Sequence, residues 1–314
     1  WRWRVGRDSW RCDMRIAVLG DIHGNLYGLQ AVLAALRGER PDALIVSGDL
    51  IYKFPWSAEV VDLLAALPCQ CILGNAELYV LLWDTELWPA HWQEPLMTEL
   101  VQWERERLGA ARLRWLAGLP EYVALSAGRV EDVMIVHGVP GNPFLPFLAR
   151  PGDDRPPWVQ TGERVRQLLG STDADIVVCG HTHSVMQRRV RRIDGGETLI
   201  VSPGTVSYGR GREKEIGRAD YVLLDWGQAS GWQVTLRSVR YDVRPVHQGL
   251  LELLGDFPVA GAIANRMRPP GAQPVSDREP NFVRWRWGDA PDWWDHRDDL
   301  PAWRSLRGEP DLQR

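Results

Sequence analysis

The chain has 314 residues, 45% of them apolar, which is enough for one large α/β domain or two smaller ones. Its net charge of −4 gives no global electrostatic case for holding a nucleic-acid backbone. No apolar run approaches the roughly 20 residues a membrane helix needs.

Residues 1–13 lack the apolar stretch of a secretory signal and end just before Met14. They read as a disordered leader or an upstream-start artefact and are set outside the fold. A buried strand is predicted at 15–19, then a helix over 25–36 with apolar residues at 26, 29, 32, 33 and 36. A second buried strand follows at 43–47. Ser57 reads as the N-cap of a helix carrying Val60, Val61, Leu63, Leu64 and Leu67. A third strand is predicted at 69–73. This β-α-β-α-β order puts a polar motif after each strand, the edge where open α/β sheets bind ligands.

Residues 77–119 read as a helical insertion rich in Trp, including Trp83, Trp88, Trp92 and Trp103. That cluster reads either as ordinary burial or as a cap or partner surface. Strands are expected at 121–126 and 133–136, then a Pro/Gly loop over 138–157, a helix at 162–169 and a strand at 175–179. Further strands are expected near 185–193, 197–202, 219–226 and 232–241, with hairpin turns at 194–196 and 227–231. Helices near 244–254 and 258–267 close a domain of residues 14–268. From Pro269 onward the chain is Pro- and Trp-rich and reads as a poorly ordered or surface-draped tail. Cys69, Cys71 and Cys179 lie in apolar runs and, with Cys12, read as thiols of a reducing, cytoplasmic setting. The Cys69–Cys71 pair has no suitably spaced partner pair for zinc.

Five segments carry the chemistry: GDIHGN at 20–25, SGD at 47–49, GNAE at 74–77, VHG at 136–138 and GHTH at 180–183. They supply Asp21, His23, Asp49, Asn75, His137, His181 and His183, and hold four of the chain's seven histidines. Imidazoles, carboxylates and one amide oxygen suit Mn, Fe or Zn. A pair of such ions is equipped for in-line displacement at phosphorus. Gly20, Gly48, Gly74, Gly138 and Gly180 accompany these residues and permit tight turns beside a crowded centre. One such His or Asp alone would read as a satisfied core group; seven in register do not.

This constellation resembles the calcineurin-like metallophosphoesterase superfamily, over about residues 14–245. The segments WERERLGAARLRWLAGLP (103–120), VHGVPGNPF (136–144), SPGTV (202–206) and RYDV (240–243) are similar to a small bacterial phosphodiesterase-like group within it. The resemblance implies an α/β fold, a four-layer α-β-β-α sandwich with two mixed β-sheets and the helical insertion. It implies that Asp21, His23 and His183 hold one divalent ion, that Asn75, His137 and His181 hold a second, and that Asp49 bridges both. Two divalent ions are implied as cofactors, Mn foremost, with Fe, Zn or Ni as alternatives. Asp49, Asn75 and His137 are the residues expected at the catalytic centre. The implied reaction is hydrolysis of a small phosphate ester, an activated or cyclic phosphodiester, by metal-hydroxide attack. A phosphomonoesterase acting on proteins or small molecules is the alternative. A homo-oligomer is compatible with the sequence.

The chain departs from the superfamily at Ala76, where GNAE stands for the usual GNHD or GNHE. A general acid contributes about 10²–10⁴-fold. Three readings follow: an enzyme for activated esters, an enzyme with a replacement donor (His91, Tyr52 or Lys53), or a catalytically weak metal-binding scaffold. Asn25 reads as a helix cap or a phosphate contact. The RRVRR run at 188–192 reads as a solvated hairpin or a nucleic-acid patch. Arg210, Arg212, Lys214 and Arg218 read as a flexible loop or a substrate-phosphate site.

Overall fold

The computed structural model describes residues 13–92, 95–126, 132–146, 162–208, 215–253, 258–273 and 290–308. Among the described residues ten strands form two sheets of five. The first runs β10 (Gly231–Arg240), β9 (Arg218–Gly227), β1 (Met14–Leu19), β2 (Ala43–Val46), β3 (Cys69–Cys71). The second runs β4 (Tyr122–Leu125), β5 (Val133–Val136), β6 (Ile176–Cys179), β8 (Glu197–Pro203), β7 (Val185–Arg191). Both are mixed: β1–β2–β3 and β5–β6–β8 are parallel, and the flanking pairs are antiparallel.

Side-chain alternation builds the layers. Ile16 and Val18 of β1 face one way and join Ile45, Ile135, Val178 and Val222 in a core between the sheets. Ala17 and Leu19 face the other way and pack under α1 (Leu26–Glu39) and α2 (Ser57–Ala66) through Leu29, Val32, Val60 and Leu64. On the far side, Val136, Val177 and Ile200 pack against Val165 and Leu169 of α5 (Gly162–Leu169). These strands are apolar on both faces because both faces are covered. The result is the expected four-layer α-β-β-α sandwich.

Over 77–119 the described residues form α3 (Asn75–Leu82), a short turn of helix at Ala90–Trp92, and α4 (Pro95–Ala117), which breaks at Gly109 where φ is 68°. After β10, α6 (Arg244–Leu253) and α7 (Pro258–Arg266) follow. Among the described residues no helix is long and apolar enough to cross a membrane.

Two expectations need correction. Trp56, not Ser57, precedes α2, and no side chain caps it. The Ser57 hydroxyl is turned inward, accepting from the Tyr52 N–H at 3.1 Å. Nor is all of the chain after Pro269 a draped tail. Residues 290–308 form a helical turn at Trp294–Asp299 and α8 (Pro301–Leu306). Trp294 and Trp303 are buried in the main core, where the Trp294 indole packs edge-on against Phe144 and Trp303. Residues 1–12 of the leader, and residues 147–157 of the Pro/Gly loop, lie outside the described residues.

Candidate metal centre

The C-terminal ends of five strands, three from the first sheet and two from the second, meet at one edge of the sandwich. Asp21 and His23 follow β1, Asp49 follows β2, Asn75 follows β3, His137 follows β5, and His181 and His183 follow β6. Backbone bonds lock these turns together: Asp21 N–H donates to Gly48 O at 3.1 Å, and His23 N–H to Asp49 O at 2.8 Å. All seven side chains are buried. Five of the seven residues adopt positive φ: Asp21 (52°), His23 (53°), Asp49 (53°), His181 (67°) and His183 (53°). Asp and His tolerate this region better than most residues, but each such position still costs about 1 kcal/mol or more. The strain places side chains that a regular strand would send to alternate faces into one cluster. Gly48 (φ 87°) is needed for a second reason: a Cβ there would sit 2.8 Å from His137 Nδ1.

The histidines are oriented by the backbone. Nδ1 of His23 lies 3.1 Å from Tyr52 O, Nδ1 of His137 2.8 Å from Ser47 O, and Nδ1 of His183 3.1 Å from Tyr208 O. A carbonyl only accepts, so each Nδ1 carries a proton, and in the neutral, metal-binding form of the ring each Nε2 is left as an acceptor. Those acceptors converge on other acceptors. His23 Nε2 lies 2.9 Å from His183 Nε2 and 3.3 Å from Asp49 Oδ2. His183 Nε2 lies 3.2 Å from Asp21 Oδ1. His137 Nε2 lies 3.2 Å from Asp49 Oδ1 and 2.9 Å from Asn75 Oδ1, and that same amide oxygen is 2.7 Å from His181 Nδ1. Lone pairs directed at lone pairs in a buried site are unfavourable unless a cation joins them. The donor set therefore fits metal ions. It divides into two groups that share Asp49: Asp21, His23, Asp49 and His183, and Asp49, His137 and His181.

Ionisation follows the same logic. Burial, then the Asp49 charge, push Asp21 up to about 6. Burial would also raise Asp49, but the charges on His137 and His23 outweigh it and hold this carboxyl well below the usual range. Burial opposes a charge on His137, yet the Asp49 carboxylate lifts it to about 9. Burial, then the Lys53 charge, push His23 down.

Sequence reasoning missed the carboxylates that hold this framework. Glu77 accepts from the N–H groups of Asp49 (2.9 Å), Leu50 (2.7 Å) and Gly74 (2.7 Å). Its reach back to Gly74, three residues earlier, is the capping-box spacing visible in GNAE. Burial, then the Asp49 charge, raise it to about 7 against those donors. Glu104 of α4 accepts from Tyr52 N–H at 2.9 Å, fixing the residue whose carbonyl orients His23. No sequence signal marks Glu104; its partner is 52 residues away. Asn25 does cap α1, its Oδ1 accepting from Gly28 N–H at 3.1 Å. Its Nδ2 donates to Val206 O (3.2 Å) and Tyr241 OH (2.7 Å).

Burial raises Glu104 to about 7. A carboxyl raised in the folded state stabilises fully at acid pH, and that contribution is lost as pH rises through about 7. The E104Q variant keeps an acceptor and loses the titration. In metal-free protein it should match the wild type near pH 4, below the unfolded pKa of 4.5, and become more stable by up to roughly 3 kcal/mol near pH 8.5. Thermal unfolding at both values checks this; a stability gap that does not move with pH would sink it.

Of the replacement donors, His91 is exposed beside Trp92. Tyr52 is buried, its phenol pushed well above its usual range by burial. Lys53 alone reaches the cluster, with Nζ 3.1 Å from His23 Nε2. Ala76 is buried, and its N–H donates to Asp49 Oδ1 at 2.8 Å. In the RRVRR run, Arg189 and Arg191 are exposed on edge strand β7, and Arg192 closes the hairpin on Asp194 at 3.1 Å. Arg210, Arg212 and Lys214 lie outside the described residues, while Arg218 opens β9 and bonds Asp220 at 2.7 Å.

A family model described as calcineurin-like phosphoesterase matches residues 14–185. An uncharacterised protein of Methanocaldococcus jannaschii is 21% identical over 247 residues, covering 76% of this chain and 92% of its own. The crystal structure of a metallophosphoesterase from Sphaerobacter thermophilus superposes with a TM-score of 0.61 at 22% identity, covering 81% of this chain and 98% of that one. The family match takes in all five segments that meet at the sheet edge and more than half of the sequence, so the chain belongs to the calcineurin-like phosphoesterase family, whose class of reaction is the hydrolysis of phosphoesters.

Proposed function

We propose that this protein is a dinuclear metal-dependent phosphodiesterase for small, activated or cyclic phosphodiesters, working in the cytoplasm. The observation that carries the reading is the convergence of backbone-oriented Nε2 atoms with Asp21, Asp49 and Asn75 Oδ1 in two groups sharing one carboxylate. Asp21, His23 and His183 would hold one ion and Asn75, His137 and His181 the other, with Asp49 between them. The mixed nitrogen and oxygen donors favour Mn, with Fe, Zn or Ni as alternatives. When bound, such a pair makes water a competent nucleophile at neutral pH and polarises phosphoryl oxygens.

The chain's own residues set the rest. Glu77 and Ala76 N–H fix Asp49, so the two halves of the site cannot drift apart. Ala76 offers no side-chain proton to a leaving oxygen, so esters whose leaving group departs unaided are favoured: aryl diesters, cyclic esters and anhydrides. The free thiols of Cys69, Cys71 and Cys179 accord with a reducing compartment. The catalytic unit would be residues 14–268, with the helices of 77–119 included in it.

The test is to strip the purified protein of metal, restore Mn, and compare bis-p-nitrophenyl phosphate with p-nitrophenyl phosphate. Mn-dependent cleavage of the diester at least about tenfold above the monoester is expected, about 1.4 kcal/mol in barrier. The reverse preference would make it a phosphomonoesterase. Metal uptake with no turnover of either would point to the scaffold reading.

A further inference from the structure

Two thiols meet under the C-terminal end of α2. β3 stands at the end of the first sheet and pairs with β2, Leu44 opposite Cys69 and Val46 opposite Cys71. Residues two apart on a strand share a face, and both cysteines pack into the core beneath the helices. Cys69 Sγ lies 3.9 Å from Cys71 Sγ and donates to Leu64 O of α2 at 3.3 Å. The two differ in access. Cys71 is buried, whereas Cys69 is half-buried, so a small solute meets Cys69 first. The contact with Cys71 holds the Cys69 thiol below its usual range, and the same contact, then burial, push Cys71 well up. Cys179 is the contrast: buried on central strand β6, pushed up by burial, with its Sγ turned to Val201 O at 3.5 Å.

A disulfide needs its sulfurs about 2.05 Å apart and its Cβ atoms about 3.8 Å apart. Two residues of a strand span about 6.6 Å, so the bond closes only if β3 bends. A three-residue strand at a sheet end resists bending less than a central strand does. Beyond it lies the metal centre. Leu73 N–H donates to Pro120 O at 2.8 Å and Gly74 N–H to Glu77 Oε2 at 2.7 Å. The next residue, Asn75, holds its Oδ1 2.9 Å from His137 Nε2 and 2.7 Å from His181 Nδ1. A bend in β3 therefore reaches the Asn75 amide through Ile72, Leu73 and Gly74.

We propose that Cys69 and Cys71 are a redox-modification site, where a hydroperoxide joins them in a disulfide that bends β3 and draws Asn75 away from His137 and His181. With hydrogen peroxide, the Cys69 thiolate attacks one peroxide oxygen. The O–O bond breaks, hydroxide leaves and takes up a proton as water, and Cys69 becomes a sulfenic acid. The Cys71 sulfur then attacks the Cys69 sulfur. The S–O bond breaks, and the departing hydroxide takes the Cys71 proton as a second water. Two thiols and one peroxide thus give one disulfide and two waters, with two electrons passing from sulfur to oxygen. A dithiol reductant reverses the step by exchange, and the bent strand makes the bond easy to reduce. That suits a transient mark in a reducing compartment. The disulfide stands on the thiol geometry alone; its effect on metal binding rests on the two-ion reading.

The test uses the full chain carrying C12S, stripped of metal so that no bound ion reacts with the oxidant. It is treated with equimolar hydrogen peroxide, alkylated with N-ethylmaleimide in denaturant, and mapped by mass spectrometry. Cys69 and Cys71 are expected in one disulfide, with Cys179 alkylated, and dithiothreitol should return both thiols. C71S should stop at a Cys69 sulfenic acid that dimedone traps. C69S should slow oxidation of Cys71 by at least about tenfold. Manganese titration then compares the two forms. The reduced protein is expected to bind two ions, and the oxidised protein to bind the second at least about tenfold more weakly. Cys69 driven to sulfinic acid while Cys71 stays a thiol overturns the site, as does a disulfide that joins two chains. A 69–71 disulfide that leaves both ions bound as before overturns its link to Asn75. Weak second-ion binding in untreated C69S would also overturn that link, since the effect would then be one of packing. If the reduced protein binds no second ion, the two-ion reading fails, and the mass map still decides the disulfide.

Discussion

Asp49→Asn should reduce diester turnover by about 10³-fold or more while leaving the fold intact, because it removes the charge between the two groups of donors without changing volume. Asp49 Oδ1 is 3.2 Å from His137 Nε2 and Oδ2 is 3.3 Å from His23 Nε2. The amide would turn one N–H₂ donor toward a nitrogen held as an acceptor, so neither orientation recreates the carboxylate. Loss of a charged group at a reacting centre is worth several kcal/mol of transition-state stabilisation, and about 4 kcal/mol is 10³-fold. The measurement is kcat/KM on bis-p-nitrophenyl phosphate with Mn, alongside the bound metal and the circular dichroism spectrum. Full turnover in this variant would contradict the proposed centre. His181→Ala should act in the same direction.

The second large effect concerns Trp294. Its Nε1–H donates to Gly141 O at 2.8 Å, its ring meets Phe144 edge-on at 5.1 Å and Trp303 at 5.5 Å, and Arg297 lies 4.4 Å over its face. Arg297 in turn pairs with Glu121 at 2.5 Å, and Trp293 Nε1–H reaches Leu87 O at 3.1 Å. Residues 290–308 thus tie the loop behind His137 to the helical stretch. Trp294→Ala should destabilise the protein by about 3–5 kcal/mol, leaving a cavity and a carbonyl without its donor. A fall in Tm of roughly 10 °C is expected by calorimetry. A shift of under about 2 °C would show that this segment is not part of the core.

The two predictions differ in how they could have been reached. Asp49 was legible because its neighbours in sequence, Gly48 and Leu50, sit in a short motif after an apolar strand, and because motifs of this kind recur at each strand end. The periodicity of 15–19, 43–47 and 133–136 gave the strands, and their two-sided apolar character was compatible with covered sheets. Trp294 was not legible. A Pro- and Trp-rich stretch with few aliphatic residues has no 2.0 or 3.6 period, and its partners Gly141 and Phe144 lie some 150 residues earlier. The same holds for Glu104, an ordinary charged residue within WERERLG until the fold brings Tyr52 N–H to it.

By itself the sequence determined the parallel-strand framework and the seven polar residues at its edge, because those features are local or repeat along the chain; that Ala76 lacks a donor was legible only through the resemblance to the superfamily's GNHD or GNHE. Only the tertiary structure decided which imidazole nitrogen faces inward, which buried carboxylates hold the loops, and that Lys53 reaches His23. Those depend on long-range backbone carbonyls, N–H groups and ring nitrogens, whose positions no short window of sequence encodes.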